Sequence, residues 1–176
     1  MSLDLEKIAT SLQQEGKKLP PVEQWQPSYV GSIDIVIDEQ VQWFHEGTAF
    51  TRQALVNLFS TILRKDGNCY YLVTPAEKLA ITVADVPFKI IALLEQGGII
   101  YLITNTEEHI ALTADSHWQL RDYQDARIPY IEVRHGLFAR VDRNVYYEMV
   151  EKAQPIKKNG ESVYALISGK HSFPLE

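Results

Sequence analysis

Ile33-Asp34-Ile35-Val36-Ile37-Asp38-Glu39-Gln40-Val41-Gln42-Trp43-Phe44 decides the fold, because its pattern returns in the second half of the chain. Apolar residues alternate with polar ones through Ile33, Ile35 and Ile37, Asp38-Glu39-Gln40 turns the chain, and Val41-Gln42-Trp43-Phe44 follows as a second strand. Downstream comes an amphipathic helix to Leu63, a stop at Lys65-Asp66-Gly67, and a strand over Cys69-Tyr70-Tyr71-Leu72-Val73-Thr74. The echo runs from Tyr130 to Ser168. Tyr130 to Arg134 turns at His135-Gly136 into Leu137 to Val141, a helix ends near Ala153, Lys158-Asn159-Gly160 turns, and Val163 to Ile167 closes the unit. A unit of strand, strand, helix and strand used twice predicts two pseudo-symmetric lobes, and a seam between lobes is a common ligand site.

Working outward, the first helix starts near Thr51 and buries Ala54, Leu55, Leu58, Phe59, Ile62 and Leu63 at helical spacing. Its twin starts at Asp142, a good N-cap, and buries Val145, Tyr146, Met149, Val150 and Ala153. Between the copies the chain reads as strands: Leu79, Ile81 and Val83 alternate, Ile90 to Leu94 and Ile99 to Ile103 flank Gly97-Gly98, and Ile110 to Thr113 is a short strand. Pro87 breaks the pattern, which places a boundary between residues 1–85 (N-terminal helix, tether and first repeat lobe) and 86–176 (second repeat lobe). Leu3 to Glu15 reads as an opening helix capped by Ser2. Lys17 to Ser32, with Pro20, Pro21 and Pro27, reads as a tether pinned by Trp25 and Tyr29. The expected class is α+β, with two small antiparallel-sheet lobes from an internal duplication.

Composition narrows the function classes. With 45% hydrophobic and 23% charged residues the chain reads as an ordinary soluble globular protein. A net charge of −6 argues against a dedicated nucleic-acid binder and against docking on an anionic membrane. Cys69 stands alone, so no intramolecular disulfide forms, and the start lacks a signal-peptide pattern; a cytoplasmic location is expected. No phosphate loop, nucleophile elbow or dinucleotide fingerprint is present, and the five histidines show no metal-ligand spacing. The residues single out no cofactor.

Arginine placement is the better lead. Five of the seven arginines are Arg121, Arg127, Arg134, Arg140 and Arg143, and residues 121–176 carry nine basic against eight acidic side chains, whereas residues 1–50 carry three against eight. A guanidinium fork binds phosphate or carboxylate bidentately, and Tyr123, Tyr130, Phe138, Tyr146 and Tyr147 offer stacking faces between them. The plain alternative is a half-solvated strand, with Glu132 and Arg134 alternating with Ile131 and Val133. Lys78 follows a strand-end turn at Thr74-Pro75-Ala76-Glu77, and Asp85 and Asn105 also fall at strand ends, where turn chemistry is the plain alternative. Arg52 sits in the first turn of its helix, where the dipole disfavours a cation; an anion or Glu46 would explain it.

Three ordered stretches, Pro27-Ser28-Tyr29-Val30-Gly31 through Trp43-Phe44-His45-Glu46-Gly47, Leu72-Val73-Thr74-Pro75-Ala76-Glu77-Lys78 through Asp85-Val86-Pro87-Phe88, and Pro129-Tyr130-Ile131-Glu132-Val133-Arg134 through Tyr146-Tyr147-Glu148, resemble a family of uncharacterised bacterial proteins, the domain-of-unknown-function family 1285. The resemblance runs from about Pro27 to the C-terminus. It implies a two-lobed duplicated α+β fold, a C-terminal lobe loosely similar to pleckstrin-homology folds, and a nucleotide-like ligand bound between the lobes in a signalling role. By motif it implies Arg52, Lys78, Asp85, Asn105, Tyr130, Arg134 and Arg140 as ligand-binding residues.

Three readings follow. The first is a non-enzymatic regulatory protein with a small anionic, nucleotide-like ligand. The second is an interaction adaptor that offers a protein partner an edge strand or groove. The third is a small enzyme using Asp85, Tyr130 and Lys78 for acid–base chemistry.

Overall fold

The computed structural model describes Ala9 and residues 19–176. The opening helix expected over Leu3 to Glu15 lies, Ala9 apart, outside the described residues. The chain forms two compact units, Met1–Pro87 and Phe88–Glu176, each built on a six-stranded mixed sheet with few helices. Among the described residues no helix is long and apolar enough to cross a membrane.

The first unit runs β1 (Tyr29–Ile37), β2 (Trp43–His45), β3 (Thr48–Ala49), α1 (Gln53–Ser60), β4 (Leu63–Asp66), β5 (Cys69–Val73) and β6 (Glu77–Val83). The strand order is β3-β2-β1-β6-β5-β4, with β1 and β6 parallel and the other pairs antiparallel. Ile35 and Ile37 on β1 are wholly buried and join Trp43, Phe59, Leu72 and Leu79 in the core, as the alternation requires. Asp38 makes the turn after β1, its carboxylate accepting from the amides of Gln40 and Gln42 at 2.9 and 2.8 Å.

Three local expectations need correction. α1 ends at Ser60 because the Ser60 and Thr61 hydroxyls donate to the carbonyls of Asn57 and Leu58, and Leu63 already belongs to β4. β1 begins at Tyr29, which is 53% exposed and lies over Gly31 of its own strand. The tether is instead held by Arg64, whose Nη1 donates to the carbonyl oxygens of Val22 (3.2 Å) and Trp25 (2.8 Å).

The second unit runs β7 (Phe88–Gln96), β8 (Ile99–Thr104), β9 (His109–Ala111), β10 (Trp118–Tyr123), β11 (Ala126–Arg134), β12 (Leu137–Val141), α2 (Arg143–Lys152), β13 (Gln154–Lys158), β14 (Glu161–Ser168) and β15 (His171–Pro174). Its main sheet is ordered β10-β11-β12-β7-β8-β9, and β13-β14-β15 form a separate three-stranded sheet. Asp142 caps α2 through the amide of Asn144, and α2 packs on β7 and β14. The strand, strand, helix, strand order therefore recurs in both units. The copies diverge after the helix. β4 and β5 rejoin the first unit's main sheet, whereas β13 and β14 leave for the small one. The sheets are also mixed where antiparallel ones were expected, since β12 and β7 run parallel, as β1 and β6 do.

Candidate functional site

Residues opposite one another on neighbouring strands share a face. Across β10, β11, β12 and β7, Gln119 faces Tyr130, Tyr130 faces Arg140, and Arg140 faces Lys89. The two-residue period adds Arg121 and Tyr123 from β10 and Phe138 from β12 to the same face. The other face carries Ile131, Ala139, Val141, Phe88 and Ile90, all buried, in the unit's core. The middle of one side of this sheet is thus apolar packing, and the other side carries Arg121 and Arg140 among Tyr123, Tyr130 and Phe138.

Arg121 is the centre of that field. Its guanidinium carbon lies 4.6 Å from the Tyr130 ring centroid and 4.4 Å from that of Phe138. Its Nε and Nη2 donate to the Gln119 side-chain oxygen at 3.0 and 2.9 Å. Among the described residues it forms no ion pair with a carboxylate. Arg140, only 5% exposed, places its guanidinium carbon 3.9 Å from the Tyr123 ring centroid. Lys89 pairs with Asp142 at 3.4 Å. Each cation–π contact contributes about 0.5–2 kcal/mol and fixes the planar fork in place. With Nε and Nη2 given to Gln119, Arg121 keeps its Nη1 donors for an anion's oxygens, and a ligand ring can stack beside it.

The expected site residues fall into distinct environments. Tyr130 and Arg140 stand directly across from each other on this face, and Tyr130 is 1% exposed. Asn105 brackets β7, its backbone amide donating to the Lys89 carbonyl and its side-chain oxygen accepting from the Lys89 amide, at 2.8 and 2.9 Å. Arg134 lies on the opposite face. A bulge between Glu132 and Arg134 sets Arg134 opposite Leu137, over the Phe88 ring (5.2 Å) and against Glu108 (2.5 Å). Simple alternation had placed Glu132 and Arg134 side by side. Glu132 instead accepts from the Gly136 amide at 2.5 Å and meets His117. Burial pushes its carboxyl pKa up, and the Gly136 amide and His117 outweigh that, so the net shift is downward.

In the first unit, Lys78 lies inside β6, bonded to Asp66 at 2.6 Å and placed 4.2 Å from the Tyr71 ring centroid. Arg64 holds the same Asp66 through Nε and Nη2, both at 2.9 Å, and its hydrogen bonds are the main cause of the lowered Asp66 pKa. Asp85 follows the far end of β6. By strand rise, Lys78 and the Asp85 end of the strand are separated by about 17 Å, so this unit does not bring them together. Arg52 is the exposed N-cap residue of α1, one position outside the helix; among the described residues neither Glu46 nor another carboxylate pairs with it.

Arg121 belongs to the arginine cluster picked out from the sequence, but not to the site residues that the family resemblance implies. The signal was Gln119-Leu120-Arg121-Asp122-Tyr123, whose alternation marks an edge strand that was not recognised as one.

Family comparisons agree with this architecture. The sequence model described as the N-terminal domain of domain of unknown function DUF1285 matches residues 20–86, and that of the DUF1285 C-terminal domain matches residues 87–175. The crystal structure of a DUF1285 family protein from Silicibacter pomeroyi DSS-3 is similar at 30% identity and a TM-score of 0.82, over 96% of this chain and 93% of that one. A DUF1285 family protein from Shewanella baltica OS155 shares the fold at 23% identity and a TM-score of 0.55, over 66% of this chain and 90% of that one. No curated protein matches the sequence. Both halves of the chain, each with its six-stranded sheet, are thereby accounted for, and the protein belongs to the DUF1285 family.

Proposed function

We propose that the protein is a non-enzymatic regulatory protein, acting in signalling, that binds a small anionic, nucleotide-like ligand on the arginine-bearing sheet face of its second unit. The observation that carries this reading is Arg121, a guanidinium clamped between the Tyr130 and Phe138 rings and hydrogen-bonded to a neutral amide, with no carboxylate partner among the described residues. A cation held this way is neutralised by nothing on its own sheet and is oriented before a ligand arrives. Arg140, on β12 two strands from Arg121, sets a second guanidinium against the Tyr123 ring on the same face. Recognition is favoured over catalysis because Tyr130, the proton donor an acid–base site would need here, is buried beneath Arg121.

The test is a thermal-shift screen of nucleotides, sugar phosphates and simple carboxylates on the wild type and on Arg121→Gln. A ligand at a hundred times its dissociation constant stabilises the native state by about 2.7 kcal/mol. The expected result is a shift in the wild type that is lost in the folded variant. An equal shift in both proteins, or none with any compound, overturns the reading.

A further inference from the structure

A groove of about 440 Å³ lies in the second unit between the 113–116 loop and β15, and none of the arginine-face residues lines it. Trp118 and Phe173 line it, in edge contact with ring centroids 5.5 Å apart. The Trp118 indole Nε1 donates to the Pro174 carbonyl at 2.8 Å and ties the groove's two sides together.

The walls are fixed by internal hydrogen bonds. Ser116 Oγ accepts from the Thr113 amide (2.9 Å) and donates to the Ala111 carbonyl (3.2 Å). The fully buried Ser168 hydroxyl joins Ile100 to Leu112, and the Gly169 amide donates to the Gly98 carbonyl at 2.8 Å, holding the turn that leads into β15.

The ladder shows which backbone groups face the groove. The Leu175 amide donates to the Tyr164 carbonyl at 2.9 Å, so Leu175, Phe173 and His171 point their polar groups at β14, and Pro174 and Ser172 point theirs away. Pro174 has no N–H, and its carbonyl is taken by Trp118. Ser172 therefore presents an N–H and a C=O outward, and neither has a partner among the described residues. Lys170 and His171 line the same groove, and neither forms an ion pair among the described residues.

We propose that this groove docks a short, extended, acidic segment of a partner protein, added as a strand to β15. The segment's backbone pairs with Ser172, and its carboxylates meet Lys170 and His171. Open strand edges recruit extended peptides in this way, with main-chain bonds giving affinity and flanking pockets giving selectivity. The chain's net charge of −6 does not oppose such a partner strongly, because charges beyond about 8–10 Å are screened at physiological salt. The Trp118–Pro174 bond limits the added strand to a few residues.

The test is NMR titration of the full ¹⁵N-labelled chain with the blocked peptide acetyl-Asp-Val-Glu-Val-amide. The controls are acetyl-Lys-Val-Lys-Val-amide and inorganic phosphate. The expected result is movement of the Ser172 amide and the Trp118 indole N–H with the acidic peptide alone. Ser172→Pro removes the outward N–H and the hydroxyl but no bond to β14, which an edge strand tolerates, and should abolish binding in a folded protein. Lys170→Ala with His171→Ala should weaken binding about tenfold. The proposal is overturned if the acidic peptide moves nothing, if folded Ser172→Pro binds equally well, or if phosphate reproduces the shifts while the Ser172 amide stays still.

Discussion

Replacing Ser168 with alanine removes one hydroxyl on which two backbone groups depend. Ser168 is wholly buried; its Oγ accepts from the Ile100 amide at 2.9 Å and donates to the Leu112 carbonyl at 2.7 Å. Ile100 and Leu112 are themselves buried, so no water replaces the lost partner without an opening of the structure. Each orphaned buried group costs about 1–3 kcal/mol, which gives about 2–6 kcal/mol for the pair. For a unit of this size that corresponds to a fall in melting temperature of at least about 8 °C. The assay is urea and thermal unfolding of Ser168→Ala beside Ser116→Ala, whose half-exposed hydroxyl has water at hand and should cost below about 1 kcal/mol. Hydrogen exchange should show the Ile100 amide losing protection in Ser168→Ala. Equal losses in the two variants, or a loss under about 0.5 kcal/mol in Ser168→Ala, would refute the reasoning.

Asp66 is held below the ordinary carboxylate range, first by the hydrogen bonds from Arg64 and then by Lys78, so its contribution is present above the unfolded carboxylate pKa and is lost as pH falls through the lower folded one. Urea midpoints from neutral to strongly acidic pH should fall less steeply for Asp66→Asn than for the wild type; parallel curves would remove Asp66 from the account. Arg64→Ala should cost about 2–3 kcal/mol, because its donors also hold the Val22 and Trp25 carbonyls, and limited proteolysis should then cut first near Trp25. Asp142→Ala removes the N-cap of α2 and should cost about 1 kcal/mol, with Asp142→Ser recovering most of it in chemical denaturation.

Where one physical cause dominates, the sequence is legible. The Ile35 and Ile37 alternation, the Asp142 cap and the His135-Gly136 turn each stand where local chemistry puts them; both turn residues adopt positive φ (45° and 76°). Sequence reading fails where tertiary pairing outweighs local pattern. Leu63 completes an apolar helical stripe yet opens β4, because pairing with Leu72 satisfies its backbone better than a frayed last turn. Trp118–Tyr123 carries too many polar residues to announce a strand, since its edge position leaves one side to water. The same reason leaves Arg121 named only as one of a cluster, with no face assigned to it. The bulge that turns Arg134 to the far face is a one-residue slip, which reverses every inference drawn from alternation beyond it. Composition did locate the arginine-rich segment, but only strand register shows that Arg121 and Arg140 share a face and that Arg134 does not.

If Arg121 is held ready for an anion, its guanidinium should report the ligand before any other group does. The most direct measurement follows the arginine Nε–H resonances by NMR as adenosine monophosphate, and separately inorganic phosphate, is added. The Arg121 resonance should move first and furthest, Arg140 should follow, and Arg121→Gln should remove the response while leaving the rest of the spectrum in place. A response centred on other arginines, or one unchanged in Arg121→Gln, would contradict it.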